Sequence, residues 1–157
     1  MTTDNKDNFN EILKALTDAI GCDPLVPEED GRVLFALDGN LGCVLFPCDA
    51  SECGVDAVAA TVLVGPVPAN NAELLYDLLA GNYMGVEAGD GTLSIERESG
   101  ALVVSRLLEL PIDEQAFVAA FAKLAGAARA WRDRLAVVAI DDREGLAAKS
   151  GNEFMRV

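Results

Sequence analysis

The stretch Gly81–Ile95 reads GNYMGVEAGDGTLSI, with four glycines around two acids. What stands on either side of it decides the fold. A phosphate-cradling loop needs a strand, then the glycines, then a helix whose free N–H groups face the anion. Here the order is reversed. Leu74, Leu75, Leu78, Leu79 and Tyr83 recur at helical spacing before the glycines, and Leu93 and Ile95 alternate with Thr92, Ser94 and Glu96 after them. No Lys-Ser or Lys-Thr pair follows, and Glu87 and Asp90 repel a phosphate. The stretch therefore reads as a helix exit and strand entry, where glycine supplies positive φ.

Upstream, Phe9, Ile12, Leu13, Leu16 and Ile20 predict a helix from Asn8 to Ile20, capped by Asp7 or Asn8 and ended by Gly21. The run RVLFALDGNLGCVLFPCD reads as two strands joined by Asp38, Gly39 and Asn40, and after a loop ASECG the valine-rich VDAVAATVLVGPV reads as a third. A second helix starts at Asn70 or Asn71. Downstream, TLSIERESGALVVSRLLELP gives two further strands about Glu98, Ser99 and Gly100. Asp113 caps a last helix whose apolar face is Phe117, Phe121, Leu124, Ala128, Trp131 and Leu135, with Arg129, Arg132 and Arg134 as charges near its end. Beyond Leu135 the periodicity fades. The expected order is α-β-β-β-α-β-β-α: an α+β fold, an antiparallel sheet with three helices, in residues 1–135, followed by a C-terminal tail, 136–157, partly ordered or mobile.

Composition narrows the function. With 157 residues and a net charge of −14, the chain fits one domain and repels nucleic-acid backbones and anionic lipid surfaces. No apolar run has the length of a membrane helix, and the N-terminus lacks the pattern of a signal peptide, so a cytoplasmic protein is expected. The four cysteines, Cys22, Cys43, Cys48 and Cys53, have no C-x-x-C spacing, and without any histidine they read as small buried hydrophobes rather than a metal site. The absence of histidine also removes the usual catalytic triads. The acidic runs Glu28-Glu29-Asp30 and Asp141-Asp142 read as solvated turns, so neither an enzyme nor a cofactor is expected.

Surface chemistry remains. In the first strand Val33, Phe35 and Leu37 on one face and Leu34 and Ala36 on the other are all apolar, and the fifth strand repeats this with Leu102, Val104 and Leu108 against Val103 and Leu107. Either helices of this chain cover both faces, or a dimer partner or a bound peptide covers the second.

The block LLYDLLAGNYMGVEAGDGTLSIERESGALVVSRLLELPIDEQAFVAAFAKLAGAARAWRDRL closely resembles the second half of class I type III secretion chaperones of the Tir-chaperone (CesT-like) family. The resemblance rests on the leucine-rich helix running into Asn82 and Tyr83, the Gly91-Thr92-Leu93-Ser94 strand entry, the Gly100 hairpin leading to Arg106-Leu107, and the last helix. It covers most of residues 8 to 135. It implies a cytoplasmic homodimer that binds the N-terminal segment of a secreted effector in extended form, without ATP, and keeps it export-competent. By that analogy Leu75, Leu78, Leu79 and Tyr83 form the dimer interface, and Leu13, Leu16, Leu34, Phe35, Val44, Phe46, Val104 and Leu107 the effector-binding groove. The chain departs from the family pattern in the cysteine-bearing loop Cys48 to Gly54 and in its tail. The rival reading is a regulatory or sensory protein-binding module of the YbjN-like kind, with a partner that is never secreted.

Overall fold

The computed structural model describes residues 2–68 and 71–153, with side chains of the last helix described as far as residue 139. The first helix, α1 (Thr3–Ile20), starts earlier than its apolar periodicity indicates, because Thr2 caps it by accepting from the Asn5 N–H. Its first turn is polar and packs on nothing that periodicity could register. Asn8, expected as a cap, is used elsewhere: its side-chain amide bonds both the N–H and the C=O of Ile112, at 2.9 and 3.0 Å. Gly21, in the left-handed conformation, ends the helix.

Strands β1 (Val33–Leu37) and β2 (Leu41–Cys48) form the expected hairpin; Asp38 and Gly39 both take positive φ, and the Asn40 N–H bonds Leu37 O. The segment expected as a loop after β2 is instead a single helical turn, α2 (Ala50–Cys53), capped by Asp49 and closed by Gly54. One turn is too short to show an apolar period. Strand β3 (Ala57–Pro66) follows, then α3 (Ala72–Gly81), where Asn71 is the cap and accepts from the Leu74 N–H at 2.9 Å. The other expected cap, Asn70, lies outside the described residues.

The glycine stretch then leads from helix to strand as its flanks require. It forms a 3₁₀ segment, Tyr83–Ala88, ahead of β4 (Thr92–Ile95). Two glycines are required by close approach: a Cβ on Gly89 would meet Lys123 O at 2.5 Å, and one on Gly91 would overlap Ser105 O. Asn82 fastens the junction, its amide bonding both the N–H and the C=O of Leu93, at 2.7 and 2.9 Å.

Strand β5 (Ala101–Glu109) pairs with β3 and β4, giving one antiparallel sheet in the order β1-β2-β3-β5-β4. Helix α4 (Glu114–Glu153) starts at Asp113, whose carboxylate accepts from the Ala116 N–H. It does not stop at Leu135. Residues 136–153 of the expected tail continue the same helix, and 154–157 lie outside the described residues. Arg129, Arg132 and Arg134 consequently sit inside the helix rather than at its end, and they serve as latches. Arg129 pairs with Asp38 at 2.6 Å and Arg132 bonds Asn40, fixing the β1–β2 turn, while Arg134 pairs with Glu87 and stacks over Trp131 at 4.5 Å.

The core lies between one face of the sheet and the helices α1, α3 and α4. Val33, Leu45, Val62, Leu102 and Val104 from the strands meet Ile12, Leu16, Leu78, Phe117, Leu124 and Trp131 from the helices. Burying this much apolar surface is the main term holding the fold.

Candidate protein-binding surfaces

Strand alternation sends every second side chain to the other face of the sheet, and the register places those side chains in rows. One row is Phe46, Ala59 and Leu107; the next is Leu34, Val44, Thr61, Ser105 and Thr92; the third is Ala36, Gly42, Leu63, Val103 and Ser94. None of these side chains is charged, in a chain whose net charge is −14; the face meets a carboxylate only at its end, where Cys48, Ala57 and Glu109 form a further row. The face is open: Leu34 is 50%, Leu107 46% and Leu63 44% exposed. It is apolar over β1, β2 and β3 and becomes hydroxylic toward β4. A monomeric protein rarely leaves so continuous an apolar area in water. The possibility that this chain's helices cover both faces is thereby overturned, since α1, α3 and α4 all pack on the core side.

The eight residues expected to form a groove divide between the two faces. Leu34, Val44, Phe46 and Leu107 share the open face. Leu13, Leu16 and Val104 are buried in the core, and Phe35 points inward with its ring 5.7 Å from that of Phe121. Leu13, Leu16 and Val104 are corrected to core, and Phe35, half-buried on the same inner side, packs against it. Val103, set with Leu107 by strand alternation, lies on this face as well. Ala59 and Leu63 join them, a placement that the β3 register shows once the strands are paired.

A second apolar surface lies at the opposite edge. Leu75 and Leu79 look outward from α3, the latter 75% exposed, and Tyr83 beyond the helix is 79% exposed. Leu78 is buried beneath them in the same helix. An open groove of about 360 Å³ runs between α3 and β4, lined by Leu75, Leu78, Leu79, Asn82, Leu93, Ser94, Ile95 and Leu102. Ile95, which alternates on the face of Leu93, is exposed at the groove because β4 is the edge strand of the sheet. Tyr76, Met84 and Val86 are also exposed and were not foreseen. Met84 holds φ of 58°, an unusual conformation for a non-glycine residue, and it projects the side chain into solvent.

Charge is kept to the flanks. The Arg129 guanidinium holds the Asp38 carboxyl below its ordinary pKa, and the Lys123 ammonium does the same for Asp90, which Arg106 also approaches at 3.6 Å. The cysteines do not share one environment. Burial pushes the Cys43 thiol up to about 12 and the Cys48 thiol up to about 11, while Cys22 is half-buried and Cys53 exposed. The expectation of four buried thiols is corrected for these last two. Among the described residues, no helix is long and apolar enough to cross a membrane.

Residues 11–132 match the Tir chaperone protein (CesT) family, and the chain belongs to that family. No curated protein is similar enough in sequence to be matched. Solved structures share the fold. A chain of the ExsC–ExsE complex superposes with a TM-score of 0.67 at 18% identity, covering 86% of this chain and 97% of that one. A chain of the HopA1–SchA chaperone–effector complex gives 0.64 at 18% identity, covering 80% and 94%. A chain from the Yersinia pestis type III secretion chaperone SycH in complex with a stable fragment of YscM2 gives 0.59 at 15% identity, covering 78% and 98%.

Proposed function

We propose that this protein is a cytoplasmic type III secretion chaperone that binds the N-terminal segment of a secreted effector in extended form and keeps it ready for export. The observation that carries this reading is the open sheet face, three of whose rows carry no charge in a strongly acidic chain. Family membership supplies the function class. An extended segment lays alternate side chains on such a face and adds its main chain to a sheet edge, so recognition depends on apolar spacing more than on one sequence. Leu34, Val44, Phe46 and Leu107 are the contact residues in this reading, joined by Leu63 and Val103. The acidic field outside the face speeds encounter with a basic partner and keeps the empty chaperone in solution. No nucleotide takes part, and no bond is made or broken.

The working unit is a homodimer joined through α3. Leu75, Leu79 and Tyr83 supply the exposed contacts, Leu78 supports them from beneath, and the groove beside β4 receives side chains of the second copy. An uncharged apolar patch with an exposed tyrosine is the composition expected of an interface core. The experiment is a tagged pull-down from the native organism under secretion-inducing conditions, with limited proteolysis of the captured complex. Two copies of the chaperone protecting only an N-terminal segment of an exported protein is the expected result. Capture of a resident protein alone would transfer the protein to the regulatory-module reading.

A further inference from the structure

An extended segment lying on an apolar sheet face can slide by two residues and present the same side of itself again. Apolar spacing therefore selects such a segment without fixing its register. One charge at a fixed point removes the ambiguity, as a single polar residue does in a coiled-coil seam. The three uncharged rows supply none, but a corner of the same face does. Strand β4 pairs its residues Thr92–Ile95 with residues 102–105 of β5, so residues 106–109 of β5 have no strand on that side. An open hollow of about 520 Å³ occupies this notch. Ala59 and Leu107, one row of the open face, line it together with Thr92, Ser105 and Arg106.

Arg106 is the cation of the hollow. Its side chain is 27% exposed, and its Nη1 stands 3.6 Å from Asp90 Oδ2, too far for a hydrogen bond. Asp90 is already engaged: Lys123 Nζ lies 2.9 Å from the same oxygen and holds the carboxyl below its ordinary pKa. Among the described residues the Arg106 guanidinium, a fork of five N–H donors, makes no hydrogen bond. Two cations against one carboxylate leave this corner locally positive in a chain of net charge −14. The next carboxylate along β5, Glu109, is exposed and three residues on, about 10 Å along the strand.

We propose that Arg106 sets the register of the bound segment by pairing, in this hollow, with one aspartate or glutamate side chain of that segment, the Ser105 and Thr92 hydroxyls being further donors to the carboxylate. The proposal rests on the chaperone reading of the open face and adds to it the chemistry of one anchor. A guanidinium suits the task because its planar fork takes a carboxylate through two parallel bonds. The segment's apolar side chains then fall on the rows of Phe46 and Leu34 in one register only. The acidity of the chain does not oppose a single anchor of this kind. Beyond roughly 8 Å at physiological ionic strength the distant carboxylates are screened, and the nearest charges decide.

The test selects peptides from a displayed random library on the full chain, using the parent, Arg106→Gln and Arg106→Glu, with circular dichroism as the control for folding. The parent should enrich alternating apolar sequences that carry Asp or Glu at one fixed distance from the apolar positions. A synthetic peptide with that acid should bind at least about fivefold tighter than its Asn or Gln counterpart, and 1 M salt should narrow the difference. Arg106→Gln should lose the acid preference and keep the apolar one. Arg106→Glu should exchange it for Lys or Arg at the same position. Apolar sequences with no acid position, enrichment of a basic position on the parent instead, or an acid preference that survives both variants would overturn the proposal and leave the chaperone reading standing. An Arg106 that only steadied Asp90 would shift the melting temperature and leave the selected sequences unmoved, which also overturns it. A parent that enriches no extended apolar sequence would refute the face as a binding site and the anchor with it.

Discussion

On β3 the two faces of the sheet alternate residue by residue: Val58, Ala60 and Val62 are sealed beneath helices, while Ala59, Thr61 and Leu63 look outward with no helix over them. Composition does not separate them, since both sets are small and mostly apolar. Cover does. An apolar side chain under a helix contributes to folding, whereas the same side chain left open contributes to whatever later covers it. The comparison is therefore testable, because stability and binding should divide along the faces.

The largest effect expected is on the covered face. Phe117→Ala removes a fully buried ring from the core and should cost about 3–5 kcal/mol in chemical denaturation, a large share of the roughly 5–15 kcal/mol that holds an ordinary domain folded. Leu107→Ala, across the sheet, should stay within about 0.5 kcal/mol. Equal losses at the two positions would mean that the outer face is also a folding core. Next in size is binding. The double change Phe46→Glu and Leu107→Glu puts two charges into one row of the open face, and affinity for the effector segment should fall by at least about tenfold, or 1.4 kcal/mol. Unchanged affinity with an intact fold would move the binding site elsewhere.

Helix α3 repeats the comparison on a smaller scale, with Leu74 and Leu78 turned inward and Leu75 and Leu79 outward. Leu79→Glu should weaken the homodimer by about 2 kcal/mol or more, read by sedimentation as a shift toward monomer at micromolar concentration, with the circular dichroism spectrum preserved. A protein that is monomeric before the change would refute the dimer outright.

These divisions mark where the sequence could be read and where it could not. The glycine stretch was decisive because local chemistry settled it: a capped leucine-rich helix before, an alternating strand after, and turn residues that only a helix-to-strand path uses. Faces were harder. Leu34 and Phe35 are equally apolar neighbours, and only the packing of Phe35 on Phe121, far along the chain, says which one is core. Leu13 and Leu16 fit a groove as well as a core until α4 is laid across α1. The latches were hidden for a related reason. Nothing local to Arg129 announces Asp38 as its partner, because the hydrogen bond spans 91 residues of sequence.

That latch supplies the smallest effect and the last test. Asp38 sits in the left-handed region at φ 52°, a conformation asparagine also accepts, so Asp38→Asn removes the charge while leaving the turn and an acceptor for Arg129. The arginine lowers the carboxyl pKa in the folded state below the ordinary 3.8, so the folded state favours the ionised form more than the unfolded chain does. That contribution is fully present above the ordinary carboxylate pKa and is lost as pH falls through the depressed folded value. The difference in melting temperature between the parent and Asp38→Asn should thus be steady from pH 7 to about pH 5 and shrink below pH 4. Salt should narrow it at neutral pH, since both partners are partly exposed. A difference that grows on acidification would mean that the pair does not hold the turn, and the β1–β2 corner would then owe its position to the core side of the sheet alone.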